Sequence, residues 1–473
     1  MKSIPLIGAG TFAKSAVVTA QRRLNCYLEA LPDPDKGAFA VYGTPGLTPW
    51  LNLGAQPIRG AYVAGGYLWA VSGSTLYKVR ADGNVTTIGT LNSNTTTVVM
   101  SDNGTQLMAV DGVNGYIVTM SSNAFVQITD VDFPNGAQWV SFNSGFFLVN
   151  NPNTGQFFKS ASYDGTTWSA TDFATAESFP DPVVAVWVDR GYVHLFGSQT
   201  IEYWQNAGGV GFPFAPLTGA TQQWGLGAQF SLAKVAGGTM FLAANNQGQT
   251  QVMYLNGFVP QRVSTPDVEN IINGFSTRSD AAALSYVVDG HAMYQLTFPT
   301  GGRTLLFDAT EKLWHEVQTG VSATYARHQG QYGVKFNDSY IVSDYSNGNL
   351  YTLSPTTYTD NGTAILRQIQ TKHVFNDYNV LGIDELYLDM ETGVGLNSGQ
   401  GSSPQIMVQV SKDNGRTFGN ERWCSIGALG NYKVRAILRR FGVGRDFVFR
   451  ISMTDPVKFT VAGSAIVPRM KQQ

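Results

Sequence analysis

A glycine-led turn followed by a short apolar strand recurs seven times along the 473-residue chain, and a second strand with a central aromatic residue follows each time. The first strands begin near Gly66, Gly104, Gly145, Gly191, Gly238, Gly290 and Asp338, and the second strands carry Tyr77, Tyr116, Phe158, Tyr203, Tyr254, Phe307 and Tyr351. Successive starts lie 38, 41, 46, 47, 52 and 48 residues apart. This interval is typical of the four-stranded blade of a β-propeller. The chain is therefore predicted to be all-β, with a propeller of six or seven blades.

The repeat ends near residue 361, and the strands that follow have a different spacing. We expect three parts: an N-terminal arm and linker over residues 1–40, the propeller over 41–361, and a C-terminal β-sandwich-like domain over 362–473. An early strand near Val41 can complete the last blade, because a closed ring leaves no exposed sheet edge. Only Asp267 to Asn273 has the pattern of a short helix.

Charge and cysteine content restrict the classes of function. The net charge of −2 argues against a dedicated nucleic-acid-binding domain, which needs a basic surface. Residues 362–473 nevertheless carry 14 Lys and Arg against 9 Asp and Glu, or +5, while residues 1–361 carry 17 against 24, or −7. Cys26 and Cys424 are too far apart in the chain to suggest a disulfide framework. Without a secretion signal or a run of about 20 apolar residues, we expect synthesis in the cytoplasm and no membrane contact.

One local motif matches the Asp-box of sialidase propellers. Residues Ser411, Asp413, Gly415, Thr417 and Phe418 have its spacing, and residues 162–168 are a shortened relative. In this motif the Ser and Asp side chains bond the backbone of the turn, and the aromatic ring anchors the hairpin. The motif therefore predicts a structural turn and not a catalytic residue.

No arrangement of residues predicts catalysis, a cofactor or a metal. A sialidase needs clustered arginines and a tyrosine nucleophile with an acidic partner. The propeller arginines have no spacing that selects three of them: Arg59, Arg80, Arg190, Arg262, Arg278, Arg303 and Arg327. The histidines show no metal-ligand spacing either: His194, His291, His315, His328 and His373.

A basic stretch lies near the C-terminus. Strand alternation would place Lys433, Arg435, Arg439 and Arg445 near one face, and Arg440 belongs to the same stretch of candidate contact residues. Two interpretations are open. The cations form a solvated strand face or a contact with another subunit, or they contact nucleic-acid phosphates without sequence specificity.

The segment Gly197-Ser-Gln-Thr-Ile-Glu-Tyr-Trp204 resembles a known protein family, the packaged-DNA stabilisation proteins that form the tail hub or nozzle of short-tailed bacteriophages. Further similar features are Asn25 and Tyr27, the Pro45-Gly46 turn, Ser411 to Arg422, Arg439-Arg440, Phe449 to Ile451, and Pro456 to Thr460. The order of these features over most of the chain is similar to that of the family.

The resemblance implies a structural virion protein that is not an enzyme and needs no cofactor. Six copies would form a homohexameric ring in the virion tail that continues the channel of the portal and its adaptor protein. The ring would close the tail on the packaged DNA, hold the tail needle or plug and seat the tailspikes or fibres, and genomic DNA would pass through it without specific binding. The alternative from the repeat and the Asp-box is a glycan-binding or sialidase-like propeller.

Overall fold

The computed structural model describes residues 2–3, 6–11, 14–31, 38–209, 211–322, 325–377 and 379–470. Nearly all of its regular elements are strands, as the sequence predicts. The single α-helix in the described residues, Pro266–Asn273, confirms the helical pattern, with Thr265 as its N-cap and Pro266 in its first turn. No helix among the described residues has the length and apolarity needed to cross a membrane.

Seven antiparallel sheets of the propeller follow one another along the chain. Blade 1 contains Ile58–Ala64, Tyr67–Ser72, Thr75–Val79 and Val85–Thr90. Blade 2 contains Val99–Asp102, Gln106–Val110, Gly115–Thr119 and Ala124–Gln127. Blade 3 contains Val140–Asn143, Phe146–Asn150, Gln156–Lys159 and Phe173–Thr175. Blade 4 contains Val183–Asp189, Tyr192–Gly197, Ile201–Asn206 and Phe214–Pro216. The predicted propeller thus has seven blades.

The inner strand of blade 5 is divided by a short 3₁₀ helix. Its pieces are Gly225–Leu226 and Ala233–Val235, with Gln229–Ser231 between them, and the blade continues with Gly238–Ala244, Thr250–Leu255 and Pro260–Arg262. Blade 6 contains Ala282–Val288, His291–Phe298, Arg303–Asp308 and Leu313–Val317. Blade 7 contains Gly330–Phe336, Ser339–Asp344, Asn349–Ser354 and the early strand Gly46–Asn52.

The ring is closed by the strand Gly46–Asn52, which pairs with Asn349–Ser354. This confirms that an early strand completes the last blade, although Val41 itself lies in the preceding strand, Phe39–Gly43, which belongs to the sandwich. The short strands Thr359–Asp360 and Thr363–Ala364 extend blade 7 outward. The inner strand of blade 7 packs against that of blade 1, and apolar clusters fill the spaces between successive blades.

The glycine-led turns connect the first and second strands of the blades. Both central residues have positive φ at Gly65–Gly66, Ser144–Gly145, Arg190–Gly191, Ala236–Gly237 and Asp289–Gly290. This is the geometry of a type I′ hairpin turn, which favours glycine at its second position. In blade 5 the turn glycine is Gly237, and the predicted Gly238 is the first residue of the strand.

The β-sandwich consists of two sheets that include N-terminal strands. Sheet A has the order Cys26–Ala30, Phe39–Gly43, Thr460–Met470, Leu381–Met390 and Ala436–Gly444, and Lys2–Ser3 pairs with Thr460–Met470. Sheet B has the order Arg22–Leu24, Arg367–Gln370, Asp446–Met453, Gln405–Ser411 and Arg422–Ser425, and Val374–Phe375 pairs with Asp446–Met453. The boundaries at residues 40 and 361 stay a prediction, and residues 32–37 of the expected linker lie outside the described residues.

Sheet B continues into the propeller without interruption. Arg22–Leu24 pairs in parallel with Leu313–Val317, the outer strand of blade 6, and antiparallel with Arg367–Gln370. One ten-stranded sheet therefore includes blade 6 and half of the sandwich. We call the region around Arg22–Leu24, where the two domains meet, the joint.

Candidate functional site

The propeller axis contains a cavity of about 520 Å³ that inner-strand residues of all seven blades line. Its wall is largely aromatic and apolar, with Tyr62, Trp139, Phe142, Trp187, Phe230 and Tyr332 as its largest side chains. The charged residue among the described lining is Lys234, which pairs with Asp189 at 3.4 Å. The cavity thus presents rings and aliphatic groups to any occupant, with one partly neutralised cation.

A glycan hydrolase would require arginines and carboxylates to converge on this cavity. Neither residue type is among its described lining residues. Arg59, the arginine nearest in sequence to that lining, is buried and donates to the backbone carbonyls of Thr96, Gly73 and Ser93. The described part of the chain also contains no group of three or more His, Cys, Asp or Glu residues that could hold a metal ion.

The predicted Asp-box forms the turn that its chemistry suggests. Ser411 Oγ accepts from the backbone nitrogen of Gly415 at 2.9 Å, and Gly415 has a φ of 81°. Asp413 accepts from the backbone nitrogens of Arg416 and Thr417 and from the Thr417 hydroxyl. Phe418 carries the Arg450 guanidinium 3.7 Å from its ring centre. The motif is therefore a hairpin turn in the sandwich.

Replacement of Asp413 by alanine is expected to destabilise the sandwich in a pH-dependent way. Hydrogen bonds from Ser411 and Thr417 lower the pKa of Asp413 well below its ordinary value. A carboxyl group with a lowered folded-state pKa adds stability above its unfolded pKa of about 3.9, and loses that contribution as the pH falls towards the folded-state value. The difference in melting temperature from the unmodified protein should therefore be largest at neutral pH and shrink below about pH 4. A difference independent of pH would contradict this assignment.

The four cations predicted as a contact lie before and within the edge strand of sheet A. Lys433 and Arg435 precede the strand Ala436–Gly444, whereas Arg439 and Arg440 lie within it, and all four are exposed. Arg440 has a φ of 66°, and the pairing register shifts at this point. A bulge of this kind re-aims side chains and breaks the alternation. The bulge lies beyond Arg439, so it takes Arg440, and not the earlier cations, out of the regular alternation. The predicted common face and the predicted contact both stay predictions.

Arg439 of the basic stretch and Arg422 beside it both form bonds within the chain. Arg439 pairs with Glu385 at 2.7 Å, and a hydrogen bond from Tyr387, together with this pair, lowers the pKa of Glu385. The guanidinium of Arg422 donates to the backbone carbonyls of Arg439 and Arg440 and lies 4.6 Å from the ring centre of Phe441. The basic stretch is thus anchored across the two sheets of the sandwich.

The joint contains charged residues that local patterns did not reveal. Glu316 accepts from Arg22 at 3.1 Å and from Arg303 at 2.9 Å, and the ring of Tyr325 lies against both guanidinium groups. The side chains of Arg22, Arg303 and Glu316 are only 11–15% exposed. Beside them Arg23 donates to His315 and to the carbonyls of Gly8 and Gly10. These residues come from distant segments, and no spacing in the sequence connects them.

The residues that carry the family resemblance have structural roles. Asn25 lies in the joint with a φ of 52°; its amide donates to the Leu366 carbonyl and accepts from the Gln318 nitrogen. The Tyr27 hydroxyl reaches Asp289 of the propeller at 3.4 Å. Buried Glu202 accepts from the Ser178 nitrogen and from the Trp204 indole. The similar features therefore stabilise the blades and the joint between the domains.

Comparisons with known families match both domains. The family described as Bacteriophage P22 Gp10, beta-propeller, matches residues 36–358, and that described as Bacteriophage P22 Gp10, beta-sandwich, matches residues 366–467. Among curated proteins, none matches the chain significantly.

Solved structures with similar folds have low sequence identity. The extracellular domain of BT4673 from B. thetaiotaomicron is 5% identical at a TM-score of 0.45, with 74% of this chain and 44% of that chain covered. The Neurospora crassa Pan2 WD40 domain is 10% identical at 0.40, with 69% and 98% covered. The N-terminal domain of Nup159 is 10% identical at 0.42, with 70% and 98% covered. These values add nothing to the fold assignment, which rests on strand pairing and the two matched families.

Proposed function

The chain belongs to the bacteriophage P22 Gp10 family of phage tail structural proteins, and from this premise we propose that it is the ring-forming hub of a short tail. Six copies surround a channel that continues the portal and adaptor conduit. The ring closes the tail after packaging and provides the seat for a tail needle or plug and for tailspikes or fibres. The protein works by shape and contact, without catalysis.

The observation that best supports this proposal is the continuous sheet through the joint. A ring that bears the pressure of packaged DNA needs subunits whose domains do not move independently. Here the outer strand of blade 6 pairs with Arg22–Leu24, which also pairs with the sandwich strand Arg367–Gln370. Since Glu316 fixes Arg22 at the same place, the two domains form one body.

We expect the channel wall of the assembled ring to be weakly charged or acidic. Each contact between a cation and a phosphate strengthens the binding of DNA and makes it more dependent on salt, which would slow a passing duplex. The −7 balance of residues 1–361 is consistent with such a wall. A channel lined predominantly by Lys and Arg in an assembled ring would contradict this expectation.

A retention assay tests the closing function. Packaged heads that carry portal and adaptor but lack this protein should lose their DNA to added nuclease, and purified protein should restore protection. An unrelated propeller of similar size is the control and should give no protection. Equal retention of DNA with and without the protein would refute the closing function.

A further inference from the structure

Both sheets of the sandwich end in the segment Arg422–Gly444, which we call the open edge. It includes the strand Arg422–Ser425, last in sheet B, and the strand Ala436–Gly444, last in sheet A. Within the described residues each of these strands pairs with a neighbour on one side only. Unpaired strand edges offer backbone donors and acceptors to another chain, and proteins usually cover or protect them. Here the carbonyls of Arg439 and Arg440 already accept from Arg422, so the side chains of the edge carry more of the argument than its backbone.

The open edge also exposes large apolar side chains. Trp423 is 61% exposed, Leu429 55%, Tyr432 71% and Val443 49%. Side chains of this size lose favourable burial when they stay in water, and exposed groups of them mark contact surfaces. Tryptophan, tyrosine and arginine are also the residues that most often dominate the energy of protein interfaces.

The charge of the open edge has one sign. Residues 422–444 contain Arg422, Lys433, Arg435, Arg439 and Arg440 and no carboxylate. Arg439 is paired with Glu385, and Arg422 donates to backbone carbonyls. These bonds within the chain partly neutralise the two charges. The apolar side chains of Trp423, Leu429 and Val443 would not contribute to the binding of phosphate groups. The combination therefore fits an acidic protein surface with an apolar centre better than DNA.

The propeller of this chain has such a surface. Residues 46–354 carry 12 Lys and Arg against 20 Asp and Glu. Three of these cations and six of these carboxylates are buried, so 9 Lys and Arg stand against 14 Asp and Glu outside the core, or −5. Between blades 2 and 3, Val131 is 91% exposed and is flanked by Asp130 and Asp132. The loop is ordered by the Asp130 carboxylate, which accepts from the backbone nitrogens of Trp168 and Asp132. An apolar side chain between two carboxylates complements the aromatic and basic groups of the open edge.

We propose that the open edge of one copy docks on the acidic propeller of a second copy. Such a contact joins different surfaces of identical chains, and it generates a ring when the rotation between successive copies closes on itself. The proposal rests on the ring function above, and it assigns the four exposed cations, Lys433, Arg435, Arg439 and Arg440, to a subunit contact instead of DNA.

Photo-crosslinking from the open edge tests the assignment. Tyr432 is replaced by p-benzoylphenylalanine, which conserves the aromatic ring, and Tyr345, a residue of blade 7 that is 39% exposed, is the control position. In rings assembled on portal–adaptor complexes, irradiation should link position 432 to residues 46–354 of another copy at several times the yield from position 345. Crosslinks to DNA or to other tail proteins, or rings without dimer-sized adducts from position 432, would overturn the proposal.

Charge reversal provides a second test that needs no tail components. At low ionic strength and high protein concentration, sedimentation should detect self-association of the native chain. The pair Lys433→Glu and Arg435→Glu should weaken this association roughly tenfold or more, since both lost attraction and new repulsion oppose it. Lys312→Glu with Lys335→Glu makes the same change in net charge on the propeller and should leave association equal or stronger.

The two tests separate the proposals. If no ring forms on portal–adaptor complexes, the ring function fails, and the sedimentation and crosslinking of the free protein decide the docking assignment. Equal association of both charge-reversed pairs, or no self-association at any concentration and salt, would refute the docking of the open edge on the propeller.

Discussion

Replacing Glu316 with alanine lowers the free energy of unfolding by about 3–5 kcal/mol, because two nearly buried guanidinium groups lose their common counter-ion. Glu316 accepts from both Arg22 and Arg303, and all three side chains are only 11–15% exposed. Removing one partner of a buried ion pair costs more than the pair contributed, since the remaining charges stay desolvated. Urea unfolding followed by circular dichroism measures the change.

The effect should be specific to the joint. The pair Lys458–Glu391 is the control, because its side chains are 48% and 38% exposed. Glu391→Ala should cost no more than about 1 kcal/mol, as is usual for exposed ion pairs. In calorimetry, Glu316→Ala should also separate the unfolding of the propeller from that of the sandwich. A loss below about 1 kcal/mol for Glu316→Ala would show that the ion cluster does not stabilise the joint.

Replacing Asn25 with alanine lowers the free energy of unfolding by about 3–5 kcal/mol, for two separable reasons. The side chain is buried and bonds the Leu366 carbonyl and the Gln318 nitrogen, which would each lose a partner. The left-handed backbone at a φ of 52° also disfavours alanine, by about 1 kcal/mol. Asn25→Gly removes the backbone strain but does not restore the two hydrogen bonds. The glycine variant should therefore be more stable than the alanine variant by only about 1 kcal/mol.

A second asparagine isolates the backbone contribution. Asn361 has a φ of 50° and an exposed side chain. Asn361→Ala should therefore cost only the conformational term, about 1 kcal/mol. Complete recovery of stability in Asn25→Gly would contradict a role for the two buried hydrogen bonds.

Local patterns predicted the propeller well because its turns are local. Asn-Gly, Asp-Gly and similar pairs supply the positive φ of hairpin turns, and the aromatic residue of each third strand follows at a short distance. The helix ending at Asn273 was also predicted from a local pattern. The early strand was predicted near Val41, whereas the strand that closes the ring is the next one, Gly46–Asn52. The shift from Gly238 to Gly237 in blade 5 reflects only which of two adjacent glycines occupies the turn.

The joint and the true shape of the basic stretch could not be predicted from local patterns. Arg22, Arg303 and Glu316 meet only when an N-terminal strand inserts between blade 6 and the sandwich. In the basic stretch, Arg440 takes the left-handed conformation and the pairing register shifts beyond Arg439, so strand alternation does not extend to Arg440. Strand alternation holds only where pairing is regular, and the sequence carries no local sign of this bulge.

We propose that this chain is a rigid ring subunit at the exit of a phage tail. Electron microscopy of the purified protein mixed with portal–adaptor complexes tests this proposal most directly. We expect six-fold density added at the tail exit, with one propeller and one sandwich in a fixed relation in each copy. A protein that stays monomeric and leaves the portal–adaptor complex unchanged would contradict it.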